Sequence, residues 1–167
     1  MFTSLPEFFQ VWRAESEGTL RIFSALTDRS LQQSVTAQDR TLGRIAWHIV
    51  TTIPEMMART GLEFSSIDPD SPVPATAQEI VEAYRLSSEN LLSSIGRSWT
   101  DDTLQAERNL YGESWKNSFT LQVLINHQIH HRGQMTVLMR QAGLAVPGIY
   151  GPSREEWGQY GMETPEL

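Results

Sequence analysis

Hydrophobic residues recur every three or four positions along four segments of the chain, and this period predicts four amphipathic helices. The first helix is predicted over residues 4–26, with a proline in its first turn, where proline is tolerated. The second begins near Thr41, capped by Thr41 or Asp39, and closes at Gly61. Pro54 falls inside its pattern, so we expect a kink there or an end to the regular hydrogen bonding.

The third and fourth helices have clearer boundaries. Thr76 and Glu79 form a capping box that opens the third helix, which continues to about residue 98. The fourth begins near residue 117 and ends at Gly143, and it contains no proline. Its long apolar stripe indicates that one side faces a core.

Long connections separate these helices. Residues 27–40 are polar, residues 62–75 are rich in proline, and residues 99–117 predict a long loop with one short extended turn. Residues 153–157 predict a last capped turn of helix. No segment alternates convincingly as a strand does. The sequence therefore predicts an all-α fold: a four-helix bundle with long connections and a short extra C-terminal helix, forming a single domain over residues 1–167.

The composition narrows the classes of partner. The chain has 13 basic and 20 acidic side chains, a net charge of −7, and no basic cluster, which disfavours nucleic-acid binding. No stretch is long and apolar enough for a membrane span, and the first residues do not resemble a signal peptide. We expect a cytoplasmic protein with neither nucleic-acid nor membrane partners. The absence of cysteine excludes disulfides and thiolate ligands from the chain itself.

Three of the four histidines fall within five residues of the fourth helix. His127 and His131 are four residues apart, so they stand one turn from each other on one helical face, as two imidazole ligands of one metal ion would. His131 also continues the apolar stripe and should point inward. His130 competes for the same role on spacing alone. His48, on the flank of the stripe of the second helix, would supply a third nitrogen.

Three protein ligands leave an open position, the pattern of a catalytic site. Nickel, zinc and ferrous iron all accept imidazole ligands, and ligand type does not choose among them. Such an ion lowers the pKa of bound water or thiol, or acts as a Lewis acid. The alternative is a set of ordinary hydrogen-bonded histidines, because His-x-x-x-His pairs also occur on helices by chance.

A motif on the fourth helix carries a family resemblance. It reads His127-x-x-His130-His131-Arg132-Gly133-Gln134. With His48 on the second helix, it resembles the DinB/YfiT-like family of metal-binding four-helix bundles, and the resemblance covers nearly the whole chain. It implies a divalent metal held by three histidines, which map onto His48, His127 and His131, whereas His130 is not a ligand in that pattern.

The resemblance also implies a function. The wider family includes thiol-dependent S-transferases and a thiol-dependent isomerase, so it implies an enzyme whose metal activates a low-molecular-weight thiol cofactor, or water, toward a small-molecule substrate. A thiol S-transferase is the favoured interpretation. A metal-dependent hydrolase and a non-catalytic, metal-binding stress-response bundle are the alternatives. The family also implies a homodimer.

Residues around the histidines carry further expectations. Gly133 should let a neighbouring helix approach closely. Arg132 and Gln134 either orient a ligand imidazole or make ordinary polar contacts between helices. Glu55 should be a solvated or paired surface acid. Three aromatic residues are expected to pack in the core rather than to line a substrate pocket: Trp47, Tyr111 and Trp115.

The first and third helices both become small or polar at mid-length, around residues 15–16 and 87–88. Ordinary variation within a bundle is one explanation. A polar cavity at the level of the histidines is the other.

Overall fold

Four long helices form the body of the computed structural model, which describes residues 1–166. They are α1 (Leu5–Ser24), α2 (Leu42–Ala58), α3 (Ala77–Ser98) and α4 (Asn117–Gln141). The predicted four-helix bundle is therefore confirmed. Leu167, the last residue of the predicted domain, lies outside the described residues. Within the described chain, no helix combines the length and the apolar character that crossing a membrane demands.

Side-chain caps fix the start of three helices, close to where the sequence predicts them. The Ser4 hydroxyl accepts from a backbone N–H in the first turn of α1, and Thr41 does the same for α2. Thr76 and Glu79 form the predicted reciprocal box at the start of α3. Asp39 is not the cap of α2, because its carboxylate accepts from the Thr36 backbone N–H at 3.1 Å instead. Each cap of this kind stabilises its helix by about 1 kcal/mol.

Pro54 does not end α2, which continues to Ala58. A proline inside a helix costs about 3 kcal/mol because it removes a hydrogen bond and crowds the preceding turn. Ile53 and Met57, on either side of it, are both fully buried. Their burial holds this turn in place despite the proline.

The apolar stripes of the four helices meet in one core. α2 packs against α4 and α3, and α1 packs against α3 and α4. The largest fully buried side chains come from the first three helices: Phe8, Trp12, Ile22, Phe23, Ile49, Ile53, Tyr84 and Leu91. The contact of α2 with α4 is the one that places His48 opposite the histidines of α4.

Residues 99–117 are more ordered than predicted. They form a 3-10 helix, Asp101–Gln105, followed by an antiparallel hairpin of β1 (Glu107–Leu110) and β2 (Glu113–Lys116). Tyr111 and Gly112 make the turn, and both have positive φ angles, 55° and 88°. Most of the strand residues are exposed on both faces of the hairpin. Apolar and polar residues therefore do not alternate along either strand, and the usual sequence pattern of a strand is missing.

The other connections also contain short helical turns. A 3-10 helix, Asp28–Gln32, lies in the first connection, where the sequence predicts no regular structure. The last turn is the 3-10 helix Trp157–Tyr160, which begins where the predicted capped turn ends. The Glu156 carboxylate accepts a hydrogen bond from the backbone N–H of Ser153 at 2.8 Å. The cap predicted for residues 153–157 therefore forms, but it stabilises a turn that precedes the 3-10 helix.

Candidate metal centre

Three imidazole rings meet between α2 and α4. The Nε2 atom of His127 lies 3.1 Å from Nε2 of His48 and 3.0 Å from Nε2 of His131. The potential ligand atoms of all three histidines lie within 4.8 Å of one another. The four-residue spacing on α4 aligns two of the rings, and the packing of α2 against α4 supplies the third.

Hydrogen bonds orient the rings to different degrees. Nδ1 of His131 lies 2.7 Å from Oε1 of Gln134, so the ring donates its Nδ1–H to the amide oxygen and leaves the Nε2 lone pair facing the cluster. Nδ1 of His48 lies 3.4 Å from the Thr52 hydroxyl. Nδ1 of His127 is buried and has no hydrogen-bond partner within residues 1–166. Gln134 therefore makes the short orienting contact of the centre.

Burial lowers the pKa of all three histidines. It is the largest cause for His48 and His127, whose pKa values fall to about 4, with further lowering by neighbouring histidines. The pKa of His131 is also lowered, mainly by burial, although its bond to Gln134 acts in the opposite direction. All three rings are therefore neutral at pH 7, and the neutral imidazole is the form that binds metals.

A divalent cation fits these residues better than protons do. Nε2 of His127 faces two other Nε2 atoms at hydrogen-bond distance, but a neutral ring has at most one hydrogen at that nitrogen. One proton can therefore satisfy one contact and not both. A metal ion accepts all three lone pairs at once. Within the described chain this group includes no carboxylate.

His130 lies outside the cluster. It is exposed, and its ring centroid is 5.0 Å from that of His131. Spacing alone left His130 and His131 as competitors, and the packing of the bundle turns only His131 toward His48 and His127. The role of these three histidines as metal ligands remains a prediction, while their convergence is an observed feature of the fold.

An open groove of about 630 Å³ lies against His131, one of the three clustered histidines. His131 and Gln134 contribute to its wall, with Ile45 from α2 and residues from the connection before α2. No sequence pattern predicts this groove, because residues 35–40 lack any periodicity that would place them beside α4.

Arg132 belongs to a separate polar network, on the side of α4 that faces α1. Its guanidinium is buried and forms an ion pair with the Glu15 carboxylate. It also donates to the Glu15 carbonyl at 2.6 Å, to the Thr19 hydroxyl at 3.0 Å and to the Tyr150 hydroxyl at 2.6 Å. Arg132 thus makes interhelical polar contacts, and only Gln134 of the two predicted candidates contacts a clustered imidazole.

The polar middle of α1 and α3 supplies further hydrogen bonds between helices. The Tyr84 hydroxyl donates to Oε1 of Gln128 at 2.7 Å, and the indole N–H of Trp12 donates to Ser88 at 2.9 Å. These side chains are buried and packed between α1, α3 and α4. They join helices through hydrogen bonds and so explain part of the polar middle. The Ser87 hydroxyl and Nε2 of Gln128 are also buried but have no hydrogen-bond partner within residues 1–166, so the polar cavity stays a prediction.

The expected role of Gly133 is wrong. A Cβ atom added there would meet no atom within 4 Å, since Gly133 lies on the exposed side of α4. The close approach occurs at Gly18, where an added Cβ would lie 2.9 Å from Cγ2 of Ile149 and 3.2 Å from Nη1 of Arg132. The C-terminal connection packs over α1 at this point, and no local pattern predicts that contact.

The remaining candidates divide between surface and core. Glu55 is a paired acid, as expected, accepting from the Tyr111 hydroxyl at 2.8 Å and from Nε of Arg59 at 3.0 Å. Trp47 is in the core, also as expected, and donates to the Ser71 carbonyl. Tyr111 is 55% exposed, so its predicted core role is wrong, because it lies at the tip of the hairpin. Trp115 is half-buried beside it.

A four-helix bundle with a histidine cluster between its second and fourth helices defines the class of this protein, and comparisons with known proteins define its family. The sequence model of the DinB family matches residues 1–165. The chain belongs to the DinB family. The uncharacterized protein YrdA of Bacillus subtilis (strain 168) is 47% identical over 167 residues, which is 100% of both chains.

Solved structures agree with this assignment. A DinB-like protein from Bacillus cereus ATCC 10987 has a TM-score of 0.87 and 46% identity, covering 90% of this chain and 100% of its own. The DinB-like protein YjoA from Bacillus subtilis has a TM-score of 0.69 and 14% identity, over 88% of this chain and 99% of its own. The second similarity, at this low identity, concerns the fold alone.

Proposed function

We propose that His48, His127 and His131 hold one divalent metal ion with an open coordination position, in an enzyme that acts on a small molecule. The observation that carries the proposal is the convergence of three Nε2 atoms, with 3.1 Å and 3.0 Å between neighbouring pairs. Nickel, zinc and ferrous iron all accept three imidazole ligands. A thiol S-transferase is the reaction type that we favour.

The charge of the site supports a thiol or another anionic donor at the open position. Within the described part of the chain, the cluster consists of three neutral imidazoles and includes no carboxylate. It would therefore leave the full charge of a divalent ion uncompensated. A bound ion of this kind would lower the pKa of a coordinated thiol or water molecule. Because the chain has no cysteine, the thiol would have to be a free small molecule.

Residues of the chain would prepare the site in two ways. Gln134 accepts the Nδ1–H of His131 at 2.7 Å, which directs the Nε2 lone pair inward and makes the ring more basic. The groove beside His131 would admit a small substrate from solvent. Water at the open position would make the protein a hydrolase instead, and a site closed to both ligands would leave a metal-binding module.

The test is metal analysis of tag-free protein, followed by titration of small thiols into the cobalt- or nickel-loaded form. We expect one metal ion per chain and a thiol-dependent charge-transfer absorption band. One bound metal with no response to thiols would refute the S-transferase and favour the hydrolase or the binding module. Failure to bind any metal would refute the centre itself.

A further inference from the structure

Two arginines lie beside the histidine cluster without an acidic partner. Arg40 lines the same groove as His131, and Arg44 lies four residues before His48 on α2. Both side chains are exposed, and neither forms an ion pair within residues 1–166.

This local charge contrasts with the protein as a whole, which carries a net charge of −7. Asp39 is the acidic residue of the groove wall, and its carboxylate is engaged by the Thr36 backbone N–H and hydroxyl, at 3.1 Å and 2.8 Å. The first turn of α2 contains no acidic residue, so the positive end of the helix dipole is not compensated there. Asp39 keeps its negative charge, but the two positive charges of Arg40 and Arg44 exceed it, so this end of the groove favours an anion.

The rest of the groove is apolar. Ile45 and Leu138 are buried at its base, whereas Val35 and Val137 are 62% and 56% exposed at its edges. Exposed valines on both sides of a groove offer contact area to the hydrocarbon part of a ligand. The groove therefore combines a cationic end, apolar walls and one imidazole of the histidine cluster, that of His131.

We propose that this groove binds a small organic anion whose carboxylate pairs with Arg40, whose hydrocarbon part lies on Ile45 and Val137, and whose donor atom reaches the histidine centre. The part of the proposal that concerns the donor atom rests on the proposed metal site. The part that concerns Arg40 does not. A guanidinium binds a carboxylate through two parallel hydrogen bonds, which makes it selective for this group over a neutral amide.

The test compares 3-mercaptopropionate with 3-mercaptopropionamide, which differ in charge at the end remote from the thiol. The measured quantity is the ratio of their affinities for the cobalt-loaded full chain, because changes in that ratio between variants are independent of the intrinsic acidity of each thiol. We expect Arg40→Gln to lower the acid-to-amide ratio about two- to fivefold, as for one exposed ion pair. Arg40→Lys should retain part of the preference.

Arg13→Gln is the matched control, because Arg13 is an exposed arginine on α1, away from the groove, and its loss changes the net charge equally. A ratio that is unchanged in Arg40→Gln would overturn the proposal. An equal fall of the ratio in Arg40→Gln and Arg13→Gln would also overturn it, because it would indicate a general charge effect. Failure of the cobalt-loaded protein to bind either thiol would overturn it as well.

A chain that takes up no cobalt would refute the metal proposal without deciding this one. In that case amide NMR spectra of the metal-free protein give the answer. Resonances of Val35 and Val137 should shift with 3-mercaptopropionate, less with the amide, and less in Arg40→Gln. Shifts of the same size for both ligands, or none, would overturn the anion site.

Discussion

The contact between Gln134 and His131 gives the sharpest test of how the centre is built. In Gln134→Leu, the Nδ1–H of His131 loses an acceptor that lies 2.7 Å away. That bond raises the pKa of His131 against the lowering effect of burial, so its loss makes the ring a weaker base and a weaker ligand. The ring also loses the contact that fixes its orientation toward His127.

The expected loss follows from the exposure of the contact. Outer-shell partners of metal ligands typically contribute about 10- to 100-fold to metal affinity. Gln134 is exposed, so water can take the place of its amide oxygen and the loss should lie at the low end. We expect a weakening of about tenfold, equivalent to about 1.4 kcal/mol.

Competition titration of zinc against a chromophoric chelator measures this change. Gln122→Leu is the matched control, because Gln122 makes a similar exposed side-chain contact on α4, to Asn126 at 3.1 Å, and hydrogen-bonds to none of the three clustered histidines. Gln134→Glu should restore or exceed the original affinity, since a carboxylate is a stronger acceptor. Equal affinities for the wild type, Gln134→Leu and Gln122→Leu would refute the reasoning.

Three further predictions concern the ligands, acid stability and the buried ion pair. We expect His131→Ala to abolish metal binding while most helicity remains, and His130→Ala to keep most of the affinity. Equal losses in a metal titration would contradict the assignment of His131, and not His130, as a ligand. The pKa values of His48 and His127 fall from 6.5 to about 4 on folding. Between pH 4 and pH 6.5 the unfolded chain therefore binds more protons than the folded chain. The metal-free protein should gain stability as the pH rises through this range. Urea unfolding at pH 5 and pH 7 measures this, and equal midpoints would contradict it. Arg132→Met should lower the free energy of unfolding by about 3 kcal/mol, since it leaves the largely buried carboxylate of Glu15 without its ion-pair partner. A loss below about 1 kcal/mol, which is typical of an exposed ion pair, would mean that water replaces the guanidinium.

The helices were predictable from sequence because each has a buried side and three of the four begin at a side-chain cap. Thr76 and Glu79, for example, form a local signal that requires no knowledge of the rest of the fold. The hairpin was not predictable in the same way, because exposed residues on both faces remove the alternation that marks a strand. Its turn uses Tyr111 in a left-handed conformation, where asparagine or glycine is the usual signal.

The histidine pair on α4 was predictable from a four-residue spacing. His48 was proposed as its partner from its place beside the apolar stripe of the second helix and from the family resemblance. Contacts between distant segments carried no such signal. The ion pair of Arg132 joins residues 117 positions apart, and the groove depends on how the connection before α2 lies against α4. The close approach at Gly18 likewise depends on the C-terminal connection, which explains why the packing role was assigned to Gly133 instead.

The two sides of α4 divide the tasks of this protein. His127 and His131 face α2, whereas Gln128 and Arg132 are tied to α1 and α3 by the buried network. The groove next to the histidines takes much of its wall from a surface connection and from exposed positions of α4. Substitutions in that wall can therefore accumulate during evolution without loss of the bundle. Proteins that descend from one such bundle can thus change the small molecule that they bind while they keep the same three histidines.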